Sequence, residues 1–437
     1  MAGRTKSSTP ILDRFGGDKV VWIIVLCLFM FSLVSIFSST SLLATKELSR
    51  LAIAKNQLLT AAVGIIIIFA TYKVRSVKLY KAVSVAGLFL SLLMLFLLVG
   101  LSALQKRGSN FDFIKAVELN GAYRWLKIAG IQISVYEFVK VFMVMYVAWA
   151  TDYVKNARIR WTNSEFVKEL VYLYIPVLLT SVLVLVGGTS SGVFMAGILL
   201  LTMLFGGVKF KNVLIVGGFC LFMFGGCFLL YQATKNTSHP MFNRFATVIS
   251  RSIDYEARFK EAERGSKEWY EALDKIRQPY GAKIAMKEGG LLPLGKGPGQ
   301  STQKYKVAVI YEDYMFSFIV EEYGLIGGIF VIILYISLMA RATIITRYCQ
   351  EDYQKVLVAG LTILIVGQAM FHIVINCDLG ILTGQTLPLI SHGRSSFVCF
   401  CFAFGMILSM SRKTEKIIEK KTEDSDPLID LEISENE

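Results

Sequence analysis

Residues 20–38 read VVWIIVLCLFMFSLVSIFS, an unbroken run with no formal charge. A helix needs about 20 mostly apolar residues, at roughly 1.5 Å each, to cross the hydrocarbon core of a bilayer. The run is too long for the core of a cleaved leader and no small-residue cleavage site follows, so it predicts a retained first span. Comparable blocks recur through the 437 residues, which are 54% hydrophobic and 18% charged with a mean hydropathy of +0.55. Soluble chains carry about 25% charged residues. The short alternating strands of a membrane barrel are missing. The expected fold is an all-α polytopic membrane protein.

Ten spans are expected, at 20–41, 52–72, 80–103, 133–153, 167–187, 192–207, 212–232, 315–340, 355–376 and 390–411. The sixth is short and opens in a Gly/Ser/Thr patch, which predicts a broken or tilted helix. Lys and Arg in short connections mark the cytoplasmic side. With ten spans, Arg4, Lys6, Arg14, Lys19, Lys73, Arg75, Lys78, Lys81, Lys155, Arg158, Arg160, Lys209, Lys211, Arg341, Arg347, Arg412, Lys413 and Lys416 all fall on one side. Residues 1–19 then form a cytoplasmic tail, 20–412 the membrane domain and 413–437 a second cytoplasmic tail. That last stretch ends in the acidic EDSDPLIDLEISENE and reads as disordered. One connection, 233–312 between the seventh and eighth spans, is far longer than the rest and lies outside the cell membrane. Within it, 254–276 is charged and proline-free, predicting a helix along the membrane surface or against a partner.

The net charge of +13 sits in the loops, so topology explains it and nucleic acid is excluded. Seven cysteines without a CxxC pair read as apolar filler rather than disulfides or metal ligands.

Charges inside apolar spans are costly and mark functional candidates. Glu137 and Lys140 lie three apart, on one face of the fourth span, as a neutralising pair or as the lining of a polar cavity. Before them, GAYRWLKIAG (121–130) places Arg124, Trp125 and Lys127 on the outer side. They serve there as interfacial anchors, or Arg124 and Lys127 bind the phosphates of a lipid-linked substrate. The glycine-rich GGLLPLGKGPGQ (289–300) offers amides and Lys296 to a pyrophosphate, against the reading of a plain flexible loop. Asp313, where the eighth span begins, is an N-cap, a general base or a metal ligand. Glu321 and Glu322 lie about 12 Å deeper and point to different sides of that helix. The outer turn GQTLPLISHGRSS (384–396), with Pro388, predicts a broken element lining a cavity. His392 reads as a hydrogen-bonding structural residue.

In this order, GAYRWLKIAG, VYEFVK, AKIAMKEGG with GKGPGQSTQK, EDYMFSFIVEEYGLIGG and TGQTLPLISHGRSS resemble the SEDS family (shape, elongation, division and sporulation), typified by FtsW and RodA. The likeness covers about 20–412, and TGQTLPLIS resembles the division branch more than the elongation branch. It implies a peptidoglycan glycosyltransferase of the cytoplasmic membrane that polymerises lipid II at the outer leaflet, at the division septum. A class B penicillin-binding transpeptidase and other division proteins are the implied partners. By position, Asp313 matches the family's catalytic aspartate; Arg124, Trp125, Glu137, Lys140, Lys283, Lys296, Glu321, Ser391 and Ser395 match substrate-binding motif positions. A divalent cation, Mg or Mn, is an optional aid, with no ligand cluster legible in the sequence. The chain departs from the family at Ser134-Val135-Tyr136, at Gly188-Thr189-Ser190-Ser191, at Arg394 and at Tyr311-Glu312. A lipid II transporter, an elongation-type polymerase and a non-catalytic division scaffold are the competing readings.

The charge pattern makes a direct prediction. Reporters fused at 76, 158 and the C-terminus should report cytoplasmic positions, and one near 265 an external position. A cytoplasmic 265 puts Asp313 on the wrong face for outer-leaflet chemistry.

Overall fold

The computed structural model describes residues 16–40, 50–107, 113–119, 122–156, 162–218, 255–290, 294–307, 309–379 and 384–423. Among them, seven helices are long and apolar enough to cross a membrane: Lys19–Ser39, Lys55–Lys73, Val77–Gln105, Glu165–Leu185, Met315–Tyr348, Asp352–Asn376 and Arg394–Thr414. Two more of the expected spans are helices, Val135–Asn156 and the short Thr189–Phe205. The expected seventh span is helical over 210–218, and its remainder lies outside the described residues. So do 1–15, 233–254 and 424–437 of the expected tails and long loop.

We label the elements α1 (Lys19–Ser39), α2 (Arg50–Lys73), α3 (Val77–Lys106), β1 (Ile114–Leu119), β2 (Ala122–Ile128), β3 (Ile131–Ser134), α4 (Val135–Asn156), α5 (Glu165–Glu169), α6 (Ile175–Gly187), α7 (Thr189–Phe205), α8 (Tyr255–Glu261), α9 (Lys267–Gly290), α10 (Met315–Tyr348), α11 (Asp352–Asn376) and α12 (Arg394–Glu423). The helix α4 is central, buried almost without break from Val139 to Ala150. It packs against α3, α7, α11 and α12, while α2 lies along α12 and α1 against α10. Close packing there uses glycine. A side chain at Gly405 of α12 would collide with Thr71 of α2, and one at Gly64 of α2 with Cys401 and Phe397 of α12. Met30 and Phe37 of α1, Leu59 and Ile66 of α2 and Phe89 of α3 point outward, a surface suited to lipid.

The connections expected in the cytoplasm meet at one end of this bundle. Lys81 pairs with Asp152 at 2.9 Å and Glu351 at 3.0 Å, and Lys155 with Asp352 at 2.8 Å. Asp18, buried beneath α1, caps that helix by accepting from Val20 and Val21, and takes Arg341 of α10 at 2.6 Å. Its own amide donates to Ser411 of α12 at 3.0 Å.

Three expectations are corrected. An antiparallel sheet β1-β2-β3 stands where only a basic loop was read. Its second turn is a two-residue hairpin at Ala129 and Gly130, both with positive φ. The charged stretch 254–276 is two helices, α8 and α9, parted near Gly265, and α9 runs through Pro279 to Gly290. It packs on α10 rather than along the surface: Gly289 lies against the backbone of Val320, and Gly281 against Val307. Third, α12 continues to Glu423, into the stretch read as a disordered tail. The fifth span stands where it was expected and is irregular, with a π-helical turn at Leu170–Tyr174 between α5 and α6. Pro176 has no N–H to give the carbonyl four residues back. That carbonyl, of Tyr172, receives the Tyr146 hydroxyl of α4 at 2.8 Å instead.

The Asp18 junction predicts a graded loss of stability in detergent. Asp18→Asn keeps the cap and loses the charge facing Arg341, worth about 2 kcal/mol. Asp18→Ala loses the cap as well, about 1 kcal/mol more. Thermal unfolding should rank wild type above Asn above Ala; three equal midpoints would remove the junction from the stability argument.

Candidate active site

Asp313 ends the loop before α10, at the end of the bundle opposite the Lys81 cluster. The first helical amides of α10 are capped from α11. Phe316 donates to Nε2 of His372 at 3.3 Å, and Ser317 donates its amide and hydroxyl to Oδ1 of Asn376 at 3.0 and 2.8 Å. Because Nε2 accepts, the His372 proton sits on Nδ1, which donates to the Gln385 carbonyl at 2.7 Å. Asn376 completes the cap by donating to the Asp313 carbonyl at 3.1 Å. Tyr314 holds the cap position without a side-chain bond. The N-cap reading of Asp313 is therefore corrected.

Arg124 reaches the same place from β2. The register with β1 shifts here, so that Arg124 is the extra residue between Tyr123 and Trp125, two residues before the fully buried Leu126. A Cβ built on Gly384 would stand 3.2 Å from Nη1 of Arg124 and 3.6 and 3.7 Å from the two Asp313 carboxylate oxygens. On the other side, one on Gly188 would stand 3.6 Å from Nε of Arg124. Two glycines thus leave a notch bordered by a guanidinium and a carboxylate. Gly384 has φ +63, where any other residue costs about 1–2 kcal/mol. The departures noted in the sequence meet here too: the Tyr136 hydroxyl donates to the Tyr123 carbonyl at 3.1 Å and fills the space over Gly187.

Burial raises the Asp313 carboxyl to about 7, the neighbouring Glu312 charge adds to this and the Arg124 guanidinium partly offsets it. Lys127 does not join Arg124. It is exposed, in register with Lys115 of β1. Half-buried Trp125 shares that outer face, in register with Val117 and Ser134.

Behind the notch, Lys140 is 2% exposed and fully coordinated. Its ammonium donates to Glu137 at 2.8 Å, Gln368 of α11 at 2.5 Å and Gln385 at 3.0 Å. Gln385 donates onward to Ser191 of α7 at 2.8 Å, and Ser396 to Glu137 at 3.3 Å. The segment 384–393 is non-helical, as Pro388 suggested. Ser391 receives the Leu387 amide and donates to the Glu312 carbonyl, both at 2.9 Å. Ser395 receives the Ser134 amide at 3.1 Å, joining α12 to the sheet.

The glycine-rich loop forms a separate cluster. At Gly324 (φ 67, ψ −168) α10 breaks, and the Glu321 and Glu322 carbonyls receive the amides of Lys296 and Gly297, both at 2.9 Å. The Glu321 carboxylate takes the Ser301 hydroxyl at 2.5 Å, the Thr302 amide at 2.8 Å and the Lys296 ammonium at 3.0 Å; Lys296 also pairs with Glu288. Glu322, expected to point away, grips Ser38 at 2.6 Å and the Ser301 amide at 3.3 Å. Two of the amides expected to cradle a pyrophosphate, those of Lys296 and Gly297, are thus committed to α10. Lys283 of α9 pairs with Asp378, just after α11, at 2.7 Å. Among the described residues no three His, Cys, Asp or Glu side chains converge as a metal site, so no ligand is assigned to a divalent cation.

Residues 18–416 match the FtsW/RodA/SpoVE family of cell cycle proteins. The chain belongs to that family. It is 25% identical, over 90% of its length and 93% of the relative's, to a probable peptidoglycan glycosyltransferase FtsW of Trichlorobacter lovleyi. With one of the same description from Enterococcus hirae it shares 28%, over 93% and 95%. Among solved structures it is similar to a chain of a peptidoglycan synthase complex studied for coordination of polymerization and crosslinking, with TM-score 0.61, 18% identity and coverage of 91% and 98%. The rod shape determining protein RodA of Thermus thermophilus follows at TM-score 0.55 and 16%, over 91% and 97%. These two likenesses concern the fold.

Reading the residues missed Gln368, His372, Asn376, Gly188 and Gly384. The first three were visible as polar interruptions of the apolar run 353–376, but only their partners give them a task.

Lys140→Met should lower the yield of folded protein by the equivalent of about 3–5 kcal/mol, since Glu137 is left buried without a cation. In Glu137→Gln/Lys140→Met the charge is gone, yet the Gln368 and Gln385 oxygens still lack their donor, at about 1–3 kcal/mol each. Detergent size-exclusion should show partial recovery. Full recovery would mean that the two glutamines contribute little.

Proposed function

We propose that this protein is a peptidoglycan glycosyltransferase that polymerises lipid II at the outer face of the cytoplasmic membrane during cell division. The observation that carries the reading is the Asp313–Gly384–Arg124 notch: a carboxylate with raised proton affinity and a cation brought together at a glycine. Family membership supports the reading, as do relatives described as probable peptidoglycan glycosyltransferases. The acceptor's sugar hydroxyl enters the notch and gives its proton to Asp313 as its oxygen attacks the anomeric carbon of the donor. The bond to the pyrophosphate breaks and undecaprenyl pyrophosphate leaves. Arg124 lies where it stabilises the developing negative charge. Lys140, with Glu137, Gln368 and Gln385, holds the Gly384 segment in position.

We assign both termini to the cytoplasm, the sheet and α9 to the outside, and a class B transpeptidase as the partner that cross-links the product. The similarity to a chain of a synthase complex supports a partner of this kind. Lys283 and Lys296 act as supports of the outer loop, through Asp378 and Glu321.

Asp313→Asn keeps the shape and removes the base. Loss of a general base lowers rate by about 10²–10⁴-fold. The variant should fold and yet make almost no glycan from purified lipid II; near-normal polymerisation would sink the assignment. Because the base must be deprotonated and its proton affinity is raised to about 7, wild-type activity should climb as pH rises through about 7.

A further inference from the structure

Away from the notch, the sheet carries an apolar rung and a basic rung that the reaction does not use. Ile114, Ile128 and Ile131 stand opposite one another across the three strands. Lys115, Lys127 and Gln132 form the next rung, and Ala116, Leu126 and Ile133 the one after. Opposite residues share a face of the sheet and successive rungs alternate. The first and third rungs therefore lie on one face, and all six of their side chains are apolar. That face meets the ends of α3, α4 and α6, where Ala116 and Leu126 are buried. Two residues further along the strands, about 7 Å, the cover ends. Ile131 is 68% exposed, as is Phe113 just before β1.

Two observations say what covers this rung. The first is continuity. Phe96, Leu97 and Leu104 of α3, on which β1 and β2 rest, point outward, so the lipid-facing surface of the bundle runs up to the sheet. A face that looks down on the ends of membrane helices looks, past their edge, onto the bilayer. The second is charge. Lys115 and Lys127 stand directly opposite each other, an arrangement that repels, and Lys127 is exposed. Lysine lays its stem along apolar surface and holds its ammonium at the level of the headgroups. An anion shared by the two ammonium groups relieves their repulsion.

We propose that this end of the sheet is an anionic-lipid site: the isoleucine rung lies in the outer leaflet where headgroups meet acyl chains, and Lys115 and Lys127 hold the phosphate of an anionic phospholipid. The inference rests on the assignment of the sheet to the outside and is independent of Asp313 as the base. Apolar faces that lie in the interface sink about 5–10 Å into it, which matches the rung beyond the last covered one. Ile128 is four residues from Arg124 along β2, about 13 Å, so the phosphate held here is separate from any held at the notch. Anchoring this end of β2 steadies the strand that carries Arg124.

The test uses the full-length protein and needs no polymerisation. Nanodiscs present lipid at both ends of the bundle, so the readout does not depend on which end is external. In discs of phosphatidylcholine and phosphatidylglycerol brominated near the headgroup, the extra emission of Ile131→Trp over wild type should be blue-shifted and quenched. Unquenched emission at the wavelength of a water-exposed indole overturns the proposal and leaves the rung to a protein partner. The charge is read by native mass spectrometry of protein in detergent, titrated with phosphatidylglycerol or phosphatidylcholine. Wild type should prefer phosphatidylglycerol. Lys115→Gln/Lys127→Gln should weaken that binding about fivefold for each lysine and leave phosphatidylcholine unchanged. No loss, or an equal loss for both lipids, overturns the proposal. So does displacement of phosphatidylglycerol by an equal concentration of inorganic pyrophosphate, which would make the lysines a free-phosphate site. If the double variant does not fold, Lys127→Gln alone carries this arm, because its side chain is exposed. Both expected results together with a cytoplasmic reporter at 265 support the lipid site while removing the external assignment of the notch.

Discussion

Inside a bilayer, a backbone group that leaves its helix finds no water and must be bonded by the protein itself. Each irregular feature of this molecule is shaped by that demand. Where Pro176 leaves the Tyr172 carbonyl free, a hydroxyl from α4 replaces the missing amide. Where Gly324 breaks α10, the glycine-rich loop supplies the amides of Lys296 and Gly297. Where 384–393 departs from a regular helix, Tyr335 donates to the Pro388 carbonyl at 2.6 Å and Ser32 to that of Ile390 at 3.1 Å. These bonds come from α1 and α10, so an irregular turn is locked to the helices around it. That locking is what lets Leu389 keep a positive φ of 60° while wholly buried.

The same demand governs the side chains around the notch. A buried ammonium is tolerable only when its donors are all used, and Lys140 uses one on its own helix, one on α11 and one on the outer turn. The outcome is mechanical as well as electrostatic. Gly384 is neighbour to Gln385, so fixing Gln385 fixes the glycine that spaces Asp313 from Arg124. The capping of α10 by His372 and Asn376 works in parallel, since it releases the Asp313 carboxylate from a structural duty. The spacing of Asp313 and Arg124 thus depends on side chains behind the notch.

The acids of this chain show how environment divides one chemical group into different roles. Glu321 is enclosed by amides, hydroxyls and a lysine that accept its charge, and it serves as a clamp. Glu137 is matched by Lys140 and serves as a strut. Asp313 is buried beside the Glu312 charge, and burial first of all raises its proton affinity. The proposed role of Asp313 as a base near neutral pH rests on that burial.

The sequence alone determined the membrane fold, because an apolar run about 20 residues long has few other stable fates in water or lipid. It also determined the common side of the short basic loops, which the Lys81, Lys155 and Arg341 ion pairs gather at one end. The motif residues were legible as types in order, and Asp313 stood out as an acid at a helix start. The tertiary structure alone decided what each one touches. The sheet, with its register shift at Arg124, brings Arg124 to Gly384 and leaves Lys127 exposed, which spacing in a presumed loop could not show. The sheet itself was hidden because its short strands lie in a basic connection that composition reads as irregular. Lys296 and Glu321 looked like ligands of a substrate and proved to be partners of each other. Gly384 and Gln385 acquired meaning only when α4, α10 and α11 converged on them, since space between two charges is a property of packing and not of any one residue.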